Sequence, residues 1–169
     1  MIENPVVRGL IMGALVLATA CSSDMMNTGP AAQLVSVSPR GGGANVTVSA
    51  DIVLTFNQSM MAGMEQFLAL HRGGVTGPTS AMTCNWSDGQ RMLTCRPGQP
   101  LAAGTRYTLH VGGGMMNSSG QAVGMDQYGM GMGGQWATGG MMGGQTGMMG
   151  TGWMSASGSY GMMFEFTTR

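Results

Sequence analysis

Lysine is absent from this chain, histidine occurs twice, and seven arginines are matched by seven acids, so the formal net charge is zero. A protein that neutralises phosphates needs a basic surface, and none can be assembled from so few cations, so nucleic-acid binding has no support. His71 and His110 are the only side chains of ordinary general-base character near neutral pH. No Ser/His/Asp order, paired carboxylates or metal-hydrolase spacing accompanies them, so no catalytic residue is assigned and an enzyme is not expected. His71 falls at the end of an expected strand and His110 within one, where alternation with Leu109 and Val111 predicts a solvent-facing imidazole. Convincing long amphipathic helices are missing as well. The Gly112-Gly113-Gly114 run after a strand is followed by neither a Lys-Ser/Thr pair nor a helix, which removes a phosphate loop.

One apolar stretch stands out, Gly9 to Ala20, too short for a permanent span but suited to the h-region of a secretory signal. It ends in Leu17-Ala18-Thr19-Ala20-Cys21, which resembles the lipobox of bacterial lipoproteins. That resemblance implies that Cys21 is lipidated and becomes the first residue of the mature chain, anchored to a membrane by several acyl chains. Ser22 after the cysteine implies sorting to the outer membrane. The alternative is a secreted chain whose Cys21 carries no lipid. Residues 1–20 are thus expected to be a signal peptide and 21–33 a short tether.

With Cys21 assigned to lipid, Cys84 and Cys95 remain, in a compartment that permits disulfides. They flank Ser87-Asp88-Gly89-Gln90-Arg91, a turn signal. A four-residue loop from Asp88 to Arg91 sets Ser87 opposite Met92, Trp86 opposite Leu93 and Cys84 opposite Cys95, with Trp86, Leu93 and both cysteines on one face. A Cys84–Cys95 disulfide is expected; a pair of buried thiols is the alternative.

Short alternating runs punctuated by turn residues continue on both sides: Leu34–Val37, Val46–Val48, Ile52–Phe56, Phe67–Leu70, the cysteine hairpin, Thr105–Val111 and Met163–Thr167. Ile52, Leu54 and Phe56 share one face, as do Tyr107, Leu109 and Val111. Between Gln58 and Gln66 there is room for one helical turn. About seven short strands predict an all-β sandwich over residues 34–168.

Val37-Ser38-Pro39, Ile52-Val53-Leu54-Thr55-Phe56-Asn57-Gln58-Ser59-Met60, Leu93-Thr94-Cys95-Arg96-Pro97, Leu101-Ala102-Ala103-Gly104-Thr105-Arg106-Tyr107-Thr108-Leu109 and Phe164-Glu165-Phe166-Thr167-Thr168 follow one another along the chain. Together they resemble the bacterial Ig-like domain first associated with S-layer proteins. The L-x-x-G-T-x-Y element is the most specific of them, with Leu101 implied to plug the core ahead of Tyr107. The resemblance implies an Ig-like β-sandwich and a structural or adhesive module of the cell envelope, with an envelope protein or polysaccharide as partner and no shared catalytic residues.

Where that family has a short loop before its last strand, this chain carries a Gly/Met-rich insertion, residues 112–162. From Gly112 to Met163 it holds twelve of the 21 methionines and 18 of the 31 glycines, with Asp126 its only charge. Such a composition is not expected to form ordinary core, because glycine loses the most entropy on ordering and the Met-Met pairs follow neither a helical nor a strand period. The bland expectation is an inert or adhesive loop; methionine oxidation would make it a sacrificial sink. The sharper one is soft-metal capture, since thioethers are neutral donors suited to Cu(I) or Ag(I). Met125, Met130 and Met132 offer three sulfurs on one turn, and the doublets Met141-Met142 and Met148-Met149 offer more. Periplasmic copper carriers of the CopC type are similar in that one respect, a small Ig-like barrel bearing a methionine-rich loop. No other cofactor is expected.

Overall fold

The computed structural model describes residues 30–124, 130–136 and 161–169. Ten strands lie within them: β1 (Leu34–Ser38), β2 (Gly43–Val46), β3 (Ile52–Phe56), β4 (Leu68–Arg72), β5 (Thr79–Ser80), β6 (Met82–Ser87), β7 (Met92–Pro97), β8 (Arg106–Val111), β9 (Gln135–Trp136) and β10 (Met162–Thr168). The expected helical turn is a 3-10 turn over Met64–Phe67.

The strands form two sheets, one ordered β1-β3-β7-β6 and the other β2-β10-β8-β4-β5, with β9 also paired to β10. Alternation decides which side chains meet between them. Ile52, Leu54 and Phe56 of β3 and Leu93 and Cys95 of β7 face Leu70 of β4, Tyr107, Leu109 and Val111 of β8, and Met162, Phe164 and Phe166 of β10, and all are buried. Removing this apolar surface from water is the main stabilising term of the sandwich.

The cysteine hairpin has the register read from its sequence: Ser87 opposite Met92, Trp86 opposite Leu93, and Cys84 opposite and disulfide-bonded to Cys95. Asp88, Gly89 and Gln90 take positive φ to close the turn. Trp86 covers one end of the core, its ring 6.0 Å from that of Phe56 and its Nε1–H donated to Glu65 Oε2 at 2.8 Å.

The L-x-x-G-T-x-Y element forms a corner. Leu101 is buried, and the Tyr107 hydroxyl accepts the Ala102 N–H at 2.8 Å, so a side chain of β8 fixes the loop that leads into it. Tyr107 also stacks on Phe166 at 5.8 Å. Tyr107→Phe keeps the stacking and leaves the Ala102 amide without that acceptor; a loss of about 1 kcal/mol is expected, measurable by urea denaturation.

The second strand departs from the expectation of Val46–Val48. It runs over Gly43–Val46 and pairs parallel with β10, Phe166 beside Gly43 and Thr168 beside Val46. The shift follows from the partner: β10 offers an edge there, while Thr47 closes a turn through the Ala50 N–H.

Both ends of the Gly/Met-rich stretch are also packed, against the expectation that such a composition makes no core. Met115 and Met162 are fully buried, and Met163 nearly so. Methionine, flexible and unbranched, fills the irregular space where the strands end. Asn117 holds the turn after Met116: its Nδ2 donates to Gln58 Oε1 and Gln121 Oε1, and its Oδ1 accepts the Ser119 and Gln121 amides. Sequence reading passed over Asn117, although Asn-Ser-Ser-Gly is a turn signature.

Candidate functional site

Three surfaces carry polar or sulfur-bearing side chains, and the first is the face of the six-stranded sheet turned away from the core. The same alternation that sends Leu70, Leu109 and Phe164 inward sends His71 of β4, Thr108 and His110 of β8, and Met163 and Glu165 of β10 to the other side. The register sets Met163 opposite His110 and Glu165 opposite Thr108, with His71 also opposite Thr108 and thus one diagonal step from His110.

The expectation of solvent-facing histidines is corrected here: His71 and His110 are both fully buried. Part of the cover is the loop after β4. Val75 within it is buried, Gly73 receives the Thr108 hydroxyl on its carbonyl, and Gly77 presents its carbonyl to His71 Nδ1 at 3.1 Å. A Cβ on Gly77 would run into the Arg72 carbonyl, so glycine is what lets the loop fold back this closely. The two imidazole rings lie 6.3 Å apart, centroid to centroid, tilted by 36°. His71 Nε2 is buried and makes no hydrogen bond among the described residues. The half-buried Glu165 has its Oε1 3.4 Å from the Thr108 hydroxyl.

The second surface is the docked part of the Gly/Met tract. Met130–Met132 form a 3-10 turn that sits on the β1–β2 connection, with the Gly41 amide donated to the Met132 carbonyl at 3.1 Å and Arg40 Nη2 to the Gly131 carbonyl at 3.2 Å. Gly41 and Gly133 meet backbone to backbone, with no space for a Cβ on either. Gly133→Ala is therefore expected to undock residues 130–136 at a cost of about 1–3 kcal/mol, read as loss of hydrogen-exchange protection at the Gly41 amide.

The third is a polar groove on the outer side of the four-stranded sheet, about 390 Å³, lined by Asp51, Thr83, Asn85, Thr94, Arg96 and Pro97 among others. Arg96 grips Asp51 bidentately, Nε to Oδ1 and Nη2 to Oδ2, both at 3.0 Å. This hydrogen bonding by the guanidinium holds the Asp51 carboxyl below its ordinary value. The pair is solvent-exposed, so it orders the surface more than it stabilises the fold.

The family model of the bacterial Ig-like domain matches residues 27–129, well over half of the chain. The chain belongs to that family. The match ends within the Gly/Met tract, so the closing strand β10 of this Ig-like domain lies beyond it, on the far side of the insertion. Among solved structures the domain is similar to the S-layer protein SbsC, at 14% identity and a TM-score of 0.41 over 56% of this chain and 12% of that one. It is also similar to L,D-transpeptidase 1 of Mycobacterium tuberculosis, at 19% identity and a TM-score of 0.39 over 56% of this chain and 38% of that one. A third is an L,D-transpeptidase of Mycobacterium smegmatis, at 20% identity and a TM-score of 0.40 over 56% and 39%. The Ig-like chain thus spans well under half the length of each of these. No curated protein matches it.

Of the residues singled out from sequence, Cys84 and Cys95 are brought together as a disulfide. Met132 lies half-buried against the edge of the Ig-like core, which gives its thioether a packing role. Met130 shares the same 3-10 turn. Cys21, Met125, Met141, Met142, Met148 and Met149 lie outside the described residues. Among the described residues, no three of His, Cys, Asp and Glu gather as a metal cluster.

Proposed function

We infer that this chain is a non-catalytic module of the bacterial cell envelope, an Ig-like sandwich tethered by lipid at Cys21 and offering its surface to an envelope protein or polysaccharide. The observation that carries this reading is the family match over residues 27–129, joined to a fold in which the sequence is spent on packing two sheets. The polar groove around Asp51, Thr83, Asn85, Thr94 and Arg96 supports a contact role, since hydroxyl, amide and guanidinium groups on a firm sheet suit hydroxyl-rich or polar partners. The lipobox-like Leu17–Cys21 segment and Ser22 support an outer-membrane lipoprotein.

Two measurements test it. Cells fed an alkyne-tagged fatty acid should label the full chain and not a Cys21→Ala variant; label that persists in the variant overturns the anchor. Envelopes from cells lacking the protein should bind the purified chain saturably, and Arg96→Ala should weaken that binding. Binding that is absent or fails to saturate defeats the module reading.

A further inference from the structure

We propose that the outer face of the six-stranded sheet is a soft-cation site in which His71, His110 and Met163 bind one Cu(I) or Ag(I) ion. Two histidines and a methionine are brought to neighbouring positions there by register: Met163 stands directly across from His110, and His71 is one diagonal step away on the opposite neighbour of β8. Direct cross-strand partners have Cβ atoms about 5 Å apart and diagonal ones about 7–8 Å, within the reach of these long side chains toward a shared ion. A ring centroid lies about 1.1 Å from its nitrogens, so with metal–nitrogen bonds of about 2 Å two imidazoles on one ion have centroids about 5 Å apart at a tetrahedral angle and about 6.3 Å apart when the two nitrogens stand nearly in line. The observed 6.3 Å falls at the open end of that range, where a wide N–metal–N angle of the kind d10 monovalent ions adopt is needed.

The state of His71 fits a ligand. A carbonyl can only accept, so Nδ1 carries the hydrogen that points at Gly77, and the lone pair of that tautomer sits on Nε2. A histidine whose second nitrogen is fixed by a carbonyl is the usual arrangement of a metal-bound imidazole. The remaining nitrogen, fully buried and with no hydrogen bond among the described residues, is a costly thing to keep unless something occupies its lone pair.

The donor set selects the ion. Two imidazoles and one thioether are uncharged, so a divalent cation would keep one charge uncompensated in a buried place even beside Glu165, and Zn(II) would also want a fourth ligand. A soft monovalent ion needs two or three such donors and brings one charge, which the half-buried Glu165 on the same face of β10 can offset. This site is built by the sandwich itself and does not need the sulfurs of Met125, Met130 or Met132.

The chain holds two histidines, so their imidazole signals are unambiguous. Ag(I) is the first probe, because it needs no reductant and leaves the Cys84–Cys95 disulfide intact. One equivalent of silver nitrate added to the full chain should move the nitrogen resonances of both histidines together. Cu(I) competed against a chromophoric chelator should then lose at least about 100-fold in affinity in His71→Gln and about 10-fold in Met163→Leu. The Met125→Leu, Met130→Leu, Met132→Leu triple variant should keep wild-type affinity. If both histidine signals stay in place in the wild-type protein, the proposal falls, whatever the variants do. Loss of binding confined to the triple variant overturns it as well and moves the metal to the tract. An Ig-like module that binds no metal would still bind envelopes, so the two readings fail separately.

Discussion

Phe164→Ala should lower the unfolding free energy by about 3–5 kcal/mol, as large aromatic-to-alanine truncations in closed cores do. Phe164 is fully buried, sits mid-strand in β10, and is paired across from Leu109 of β8, which is also fully buried. Both flanks of β10 are occupied, β8 on one side and β2 and β9 on the other, so the hole cannot close by moving an edge strand. A small domain is stable by about 5–15 kcal/mol, so this one change removes a large share of it. Urea denaturation should give an earlier midpoint with an unchanged slope. A loss below about 1 kcal/mol would mean that β10 does not complete the sheet after the insertion.

The second large effect is expected from the disulfide. Cys84 and Cys95 are eleven residues apart, and opening that loop in the unfolded chain restores about 3 kcal/mol of conformational freedom. The Cys84→Ala/Cys95→Ala double variant should therefore melt on the order of 12–24 °C lower than the oxidised protein. The bond ties β6, which among the described residues is an outer strand with one hydrogen-bonded neighbour, to β7. Its loss should show first as faster amide exchange along β6, while β8 and β10 keep their protection until global unfolding. Uniform loss of protection in all strands would show that the hairpin does not open alone.

The hairpin was fully legible in the sequence because a two-residue period and a turn of known length leave one register that puts Trp86, Leu93 and the cysteines on one face. Tyr107, Leu109 and Val111 were legible for the same reason. Periodicity failed at His71 and His110, since alternation says which side of a sheet a residue is on and not whether that side is covered. The cover comes partly from the loop after β4, whose Gly73-Gly74-Val75-Thr76-Gly77 sequence has no periodic signal. Likewise Gly43-Ala44-Asn45-Val46 does not read as a strand, because its pairing is dictated by the edge of β10 some 120 residues later. The methionines were misjudged at the two ends of the tract, where Met115 and Met162 are core, because composition averaged over the whole stretch hides the positions adjoining strands.

One pairing bears on how the chain has come to carry so unusual an insertion. Trp136 lies opposite Met162, so β9 and β10 bring together the two ends of the segment between Trp136 and Gly161. Once such ends are joined, doubling the number of residues between them costs only about 0.6 kcal/mol of closure entropy. Glycine- and methionine-rich units added or deleted there leave every strand, both histidines and the disulfide in register. Related chains are therefore expected to differ in length between the partners of this pairing and still share an unchanged sandwich.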